Sequence, residues 1–222
     1  MNPPNQKEWR QLKEYHGLNW RIKTPEMFAE KMRSNMKAAL YHADGWTSGP
    51  WVDIGQITSL HWVAFHGIFQ WRGELRVDEL HGPKEKFTDP AQIRSDLRTL
   101  NDESRKWFNS EDPNVLAREM AAYAATFHQI QPFIYGSDIV GRLILYRQAD
   151  ELFGKPLNLE DDLKVYHAAL NSAVNGNLKP LAAQILENSN GRLEAEVTRI
   201  ERDIEEAIRE LGERERDLFK SH

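Results

Sequence analysis

Apolar residues recur at helical spacing along most of this chain, and that period limits what it can fold into. Between Pro25 and Tyr41, Phe28, Met32, Met36 and Leu40 fall four apart and so line one face of a helix. Thr24 followed by Pro25 supplies an N-cap hydroxyl and a first-turn residue whose fixed φ suits a helix start. The same reading predicts helices over Ile54–Gln70, Ala91–Asn109, Val115–Ile130, Gly141–Phe153, Leu159–Val174 and Leu178–Glu187. Gly154 and Pro156 stop one of them, and the turn Asn175-Gly176-Asn177 separates the last two. Only the stretch WRGELRVDEL, Trp71 to Leu80, alternates with the period of a strand, setting Leu75 and Val77 between charged neighbours. The expected fold class is therefore mainly α, with one short strand or hairpin.

Charge and residue usage exclude several functions. The net charge of -5 leaves no basic excess of the kind a phosphate-backbone binder carries. With no cysteine there is no disulfide, no thiolate nucleophile and no Cys-ligated zinc. His61 and His66 lie five apart, not the four that puts two metal ligands on one helix face. The N-terminal stretch MNPPNQKEWRQLKEY lacks the apolar core of a signal peptide, and no run reaches the roughly 18 apolar residues of a membrane span. A cytoplasmic protein is expected.

The C-terminal segment differs in kind. After the break Asn188-Ser189-Asn190-Gly191, an apolar seam of Leu193, Val197, Ile200, Ile204, Ala207 or Ile208 and Leu211 alternates steps of four and three. Arg192 to Asp217 holds six basic and ten acidic residues. Such a helix either lies on its own domain or pairs outside it. Its length, about 39 Å at 1.5 Å per residue, favours projection and pairing, in a homodimer or with a basic partner helix.

The stretch from Gln131 to Arg142, QPFIYGSDIVGR, carries the most functional information. It resembles the signature of the Fic (Fido) family, H-P-F-x-[D/E]-G-N-G-R, through Pro132, Phe133, Gly136, Gly141 and Arg142. Read that way it is three residues longer than the signature. The resemblance extends over about Ile54 to Glu187. Leu60-His61 with Phe65 and then Trp71-Arg72-Gly73-Glu74-Leu75-Arg76 resemble one family pattern, followed by Phe87, Pro90 and Ile93. Downstream come Gly154-Lys155-Pro156, Tyr166-His167-Ala168-Ala169-Leu170 and Gly176-Asn177-Leu178-Lys179-Pro180-Leu181.

The resemblance implies a Fic-like helical bundle with a short β-hairpin flap and a long C-terminal helix. It implies an N-terminal helical extension over 1–53, a Fic-like core over 54–187 and the C-terminal helix over 188–222. It implies ATP and Mg²⁺ as reactants and transfer of AMP to a protein hydroxyl. In that chemistry a histidine is the general base, glycines at a helix N-terminus cradle phosphate, a carboxylate holds Mg²⁺ and arginine pairs with phosphate. Here Gln131 stands in place of the histidine, and His128, one turn earlier, is the nearest substitute base. Tyr135 stands in place of the carboxylate, which leaves Asp138 as catalytic or metal-binding candidate. Gly136, Ser137, Gly141 and Arg142 are the candidates for holding phosphate. The family's second arginine is replaced by Leu145 in this register. The expected function is a degenerate Fic module that binds nucleotide, phosphate or protein; the alternative is an active nucleotidyl- or phosphotransferase with altered catalytic residues. A target segment is expected to add as a strand along the flap, about Arg76 to Phe87. The family's inhibitory string [S/T]-x-x-x-E-[G/N] is not found.

Overall fold

The structure, a computed structural model, describes residues 4–14, 17–47, 49–80, 87–154, 157 and 163–188. Among these, eight helices follow one another: α1 (Gln6–Glu14), α2 (Pro25–Asp44), α3 (Ile54–Ala64), α4 (Ile93–Trp107), α5 (Pro113–Ile130), α6 (Ser137–Phe153), α7 (Leu163–Val174) and α8 (Lys179–Asn188). The long C-terminal helix expected beyond Asn188 lies outside the described residues. No described helix is long and apolar enough to cross a membrane.

Local rules set the starts of three helices. The Thr24 hydroxyl accepts from the Met27 N–H, and Pro25 opens α2. Asp53 and Gln56 form a reciprocal capping box at α3. Asp112 caps α5 just before Pro113. α1 has no counterpart among the expected helices.

α5 is the central helix. It packs against α4, α6, α7 and α8, while α2 packs on α3 and α6. Ala117, Ala121, Ala124 and Ala125 are buried along α5, and small side chains let neighbouring helices approach closely. The predicted α2 stripe is buried as expected: Phe28, Met32, Met36 and Leu40 join one cluster with Ile57, Leu60 and Leu97. Burying each such side chain contributes about 1.5–3 kcal/mol.

Three expectations change. The helix predicted to run from Ile54 to Gln70 ends at Ala64. Gly67 has φ +73, and the Asn35 side-chain amide of α2 donates to the carbonyls of Ala64 and His66 at 3.1 and 2.9 Å. A partner from another helix thus satisfies groups left over where α3 stops. The helix predicted to start at Gly141 starts at Ser137. Finally, the β-hairpin flap is absent as a ladder among the described residues: Arg76–Leu80 and Phe87–Thr88 carry no strand, and residues 81–86 lie outside the description. Both arms instead bond to the end of α5, through the Arg76 N–H to the Pro132 carbonyl (2.9 Å) and the Thr88 N–H to the Gln129 carbonyl (3.1 Å).

Candidate functional site

The turn from Gln131 to Gly136 joins α5 to α6 and is held from both sides. Gln131 caps α5 with φ 43 and ψ 68, the one non-glycine residue with positive φ among those described. Its N–H still bonds to the Phe127 carbonyl at 3.1 Å. Arg76, buried, then closes the helix end. Its Nε donates to the Gln131 carbonyl at 2.6 Å, Nη2 to the carbonyls of Ile130 (3.3 Å) and Thr88, and Nη1 to the Asp78 carbonyl at 2.9 Å. A full positive charge at the negative end of α5 also complements the helix dipole.

His61 holds the other side. Its ring is fully buried and stacks on Phe133, with centroids 3.8 Å apart and planes 17° from parallel. The Gly73 N–H donates to Nδ1 at 2.8 Å, which leaves Nε2 to carry the proton and donate to the Tyr135 carbonyl at 3.1 Å. Burial pushes the imidazole down to about 4, only partly opposed by the Tyr135 hydrogen bond, so the neutral form is the folded form at neutral pH.

Gly136, with φ +82, turns the chain into α6. A Cβ there would lie 2.2 Å from the Phe65 ring, so glycine is required twice over. The Ser137 hydroxyl folds back, accepting from the Phe133 N–H at 3.0 Å and donating to the Phe133 carbonyl at 3.2 Å. The Tyr135 ring packs edge-on against Phe65 and Phe69. Its phenol is pushed up to about 12, by burial first and then by the Asp138 and Glu8 charges.

The structure brings some of the candidate residues together and separates others. The Gln131 amide nitrogen lies 3.4 Å from Nδ1 of His128, whose ring also meets Phe87 edge-on. Asp138 sits in the first turn of α6 and Arg142 one turn on, and both act on the buried Tyr166 phenol of α7, Arg142 lowering its pKa and Asp138 raising it. Burial is the larger influence and raises it. Nε of Arg142 is buried without a hydrogen-bond partner among the described residues. Gly141 is no cradle residue at a helix start: it lies inside α6, where a Cβ would meet Phe127 of α5 at 3.2 Å. The expected three-residue lengthening of the loop is likewise corrected, because Ser137–Val140 form the first turn of α6 and Ile139 and Val140 are buried there. Among the described residues no group of three or more His, Asp or Glu could hold a metal ion.

Sequence reasoning placed His61 and Arg76 within a pattern but gave neither a role. The available signals were a histidine on the apolar face of α3 and an arginine between Leu75 and Val77.

The strain at Gln131 yields a prediction. A non-glycine residue in the left-handed region costs about 1 kcal/mol. Gln131→Gly is expected to raise stability by about 0.5–1 kcal/mol in urea unfolding. A loss of stability would show that the amide contact to His128 outweighs the backbone strain.

Comparison with known proteins supplies the last observation. Residues 51–149 match the family model described as Fic/DOC family. The chain is similar to the BepC protein of Bartonella tribocorum, a VirB-translocated effector solved with bound AMPPNP (TM-score 0.64, 17% identity, 77% of this chain and 90% of that one). It is similar to the N-terminal Fic domain of a putative cell filamentation protein of Bartonella quintana with bound ADP (TM-score 0.63, 16% identity, 77% and 88%). It is also similar to Fic-1 (aa134–508) of C. elegans (TM-score 0.59, 19% identity, 91% and 58%). At these identities the likeness establishes the shared fold. No curated protein sequence matches the chain.

Proposed function

The chain carries a Fic domain spanning residues 51–149, and on that premise we propose that it is a cytoplasmic binding or regulatory module in which AMP transfer is degraded. The observation that carries this reading is the uninterrupted passage from the Gln131 turn into α6 at Ser137. Counted without an insertion, Gln131 takes the place of the signature's histidine, Tyr135 that of its carboxylate, Asp138 that of its second glycine and Ile139 that of its first arginine. Arg142 then takes the place of the second arginine, three residues on.

Each replacement removes a chemical function. A glutamine amide does not titrate and cannot act as general base, a loss worth about 10²–10⁴-fold in rate. The Tyr135 phenol stays neutral at physiological pH and is a poor Mg²⁺ ligand. Asp138 places negative charge at the N-terminus of α6, where a phosphate would need the positive end of the helix. Ile139 is buried and offers nothing to an anion. Relatives of this fold have been solved with AMPPNP and ADP. In this chain Arg142 and the α6 amides remain for a nucleotide, with weakened affinity. The protein partner is expected along the 76–87 segment.

Incubating the full chain with α-phosphate-labelled ATP, Mg²⁺ and a cell lysate tests this. The expected result is no labelling above that of Arg142→Ala. Gln131→His combined with Asp138→Gly is expected to raise labelling at least tenfold, since both positions are only half-buried and accept the change. Robust labelling by the unmodified chain, lost in Arg142→Ala, sinks the proposal. One observation favours the alternative, an active transferase: the His128 ring lies 3.4 Å from the Gln131 amide, beside the place of the missing base. That reading requires His128→Ala to abolish a labelling that the unmodified chain displays.

A further inference from the structure

Three cationic side chains, Lys31, His66 and Arg72, gather around Trp62 and the turn that follows α3. We propose that they form a site for the phosphoryl group of a small phosphate monoester or of free phosphate, each side chain donating to a different oxygen. The site shares no residue with the Gln131–Arg142 region and holds whether or not α6 binds a nucleotide.

Packing fixes where the three stand. α3 stops at Ala64, and the Asn35 amide of α2 holds the carbonyls of Ala64 and His66. Lys31 lies one turn before Asn35 on the same side of α2. Its Cε is 3.2 Å and its Nζ 3.8 Å from where a Cβ on Gly67 would stand, which sets the ammonium beside the residue that follows His66. The His66 ring packs against the Trp62 ring, with centroids 4.7 Å apart. The Arg72 guanidinium lies over the same Trp62, 5.3 Å from the ring centroid, where the negative face of the indole attracts a cation. Trp62 therefore positions both His66 and Arg72.

Among the described residues no anion neutralises these charges. Lys31, His66 and Arg72 form no ion pair, and neither Glu30 nor Glu74, beside them in the sequence, reaches one of them. Nη1 of Arg72 donates to the Phe69 carbonyl at 3.2 Å and Nε is buried without a partner, while Nη2 makes no hydrogen bond and stays open to solvent. The Lys31 ammonium and the His66 ring nitrogens also make no hydrogen bond there. Burial first, then the Arg72 charge, then the Lys31 charge hold the His66 imidazole below its ordinary value, so both cations act on this ring. An anion seated among the three relieves that repulsion. A chain of net charge -5 thus concentrates uncompensated positive charge at one place on its surface. The donor set selects the ligand. A phosphoryl group presents three strong acceptor oxygens, one for each cation, whereas a carboxylate presents two. Trp62 is 45% exposed and offers an apolar wall to the organic part of an ester.

The test follows the His66 imidazole resonances of the full chain by NMR, identified with His66→Gln, as inorganic phosphate is added at constant ionic strength. The reporter belongs to the site, so phosphate held elsewhere does not register. A saturable shift with a Kd of about 1–10 mM is expected, as three partly exposed cations support. The His66 pKa should rise by about 0.5 or more when phosphate is bound. In Lys31→Gln/Arg72→Gln the imidazole should titrate higher without phosphate, and phosphate should bind at least about fivefold more weakly. The response of the unmodified chain stands as evidence even if that double variant fails to fold. O-phosphoserine binding more tightly than phosphate assigns the site to monoesters; equal or weaker binding assigns it to free phosphate. A His66 resonance unmoved at about 50 mM phosphate overturns the proposal, as does a shift that chloride reproduces or one that the folded double variant retains in full. Tighter binding of a ten-residue oligothymidylate than of either phosphate ligand would assign the face to nucleic acid and equally overturn it.

Discussion

His61→Ala, a substitution on the buried face of α3, is expected to lower stability by about 3–5 kcal/mol, a drop of about 10 °C in Tm. The ring is fully buried, stacks on Phe133 and is the shared partner of the Gly73 N–H and the Tyr135 carbonyl. Its removal leaves a cavity and two unpaired backbone groups, each of which costs about 1–3 kcal/mol when buried. The same residue sets a pH dependence. Its folded pKa of about 4 lies below the ordinary value of 6.5, so below pH 6.5 the unfolded chain takes up a proton that the folded chain refuses. The stabilisation is complete above pH 6.5 and is lost as the pH falls to about 4, a total of about 3 kcal/mol. His61→Phe keeps the ring stack and cannot titrate. The stability difference between the unmodified chain and His61→Phe should therefore shrink by about 3 kcal/mol between pH 6.5 and 4. A difference that stays constant with pH would show that the imidazole is not held neutral by the fold.

Gly136→Ala should cost about 3 kcal/mol or more, although it adds one methyl group. Two penalties combine. The backbone at φ +82 disfavours any L side chain, by about 1 kcal/mol. The added Cβ would stand 2.2 Å from the Phe65 ring, which is packed against His61, Phe69 and Tyr135 and has no free direction to move. A double-mutant cycle separates the two. In a Phe65→Leu background the steric part of the cost should shrink and the conformational part should remain, giving a coupling of about 1–2 kcal/mol. If Gly136→Ala melts within 1 °C of the unmodified chain, the close approach of Phe65 to Gly136 is wrong.

The two substitutions also show how the site is built. Phe65, His61 and Phe133 form one aromatic block, and the Gln131–Gly136 turn is seated on it. Arg76 ties the other side of that turn, and with it the end of α5, to the 73–77 segment. The turn so seated carries a glutamine where the resemblance places the base.

Helix identity was legible in the sequence because the interactions that make a helix lie within four residues. The stripe of Phe28, Met32, Met36 and Leu40, the Thr24 cap with Pro25 and the Gly154 stop were all readable, and all are present. The Fic resemblance was readable as well, since it rests on ordered short motifs. Three features were not readable: the early stop of α3, the true start of α6 and the anchoring of the 76–88 arms on α5 in place of a described strand ladder. Each depends on partners distant in the chain. Asn35 reaches Ala64 across 29 positions, Arg76 reaches Gln131 across 55 and His61 reaches Tyr135 across 74. The polar groups that end one helix and begin another were satisfied by side chains whose proximity exists only after packing. The apolar period and the caps are properties of the sequence itself. The seating of the Gln131–Gly136 turn, and with it the placement of Asp138 and Arg142 on one turn of α6, was decided by tertiary structure, because a buried hydrogen bond must be closed by whichever group the fold brings within reach.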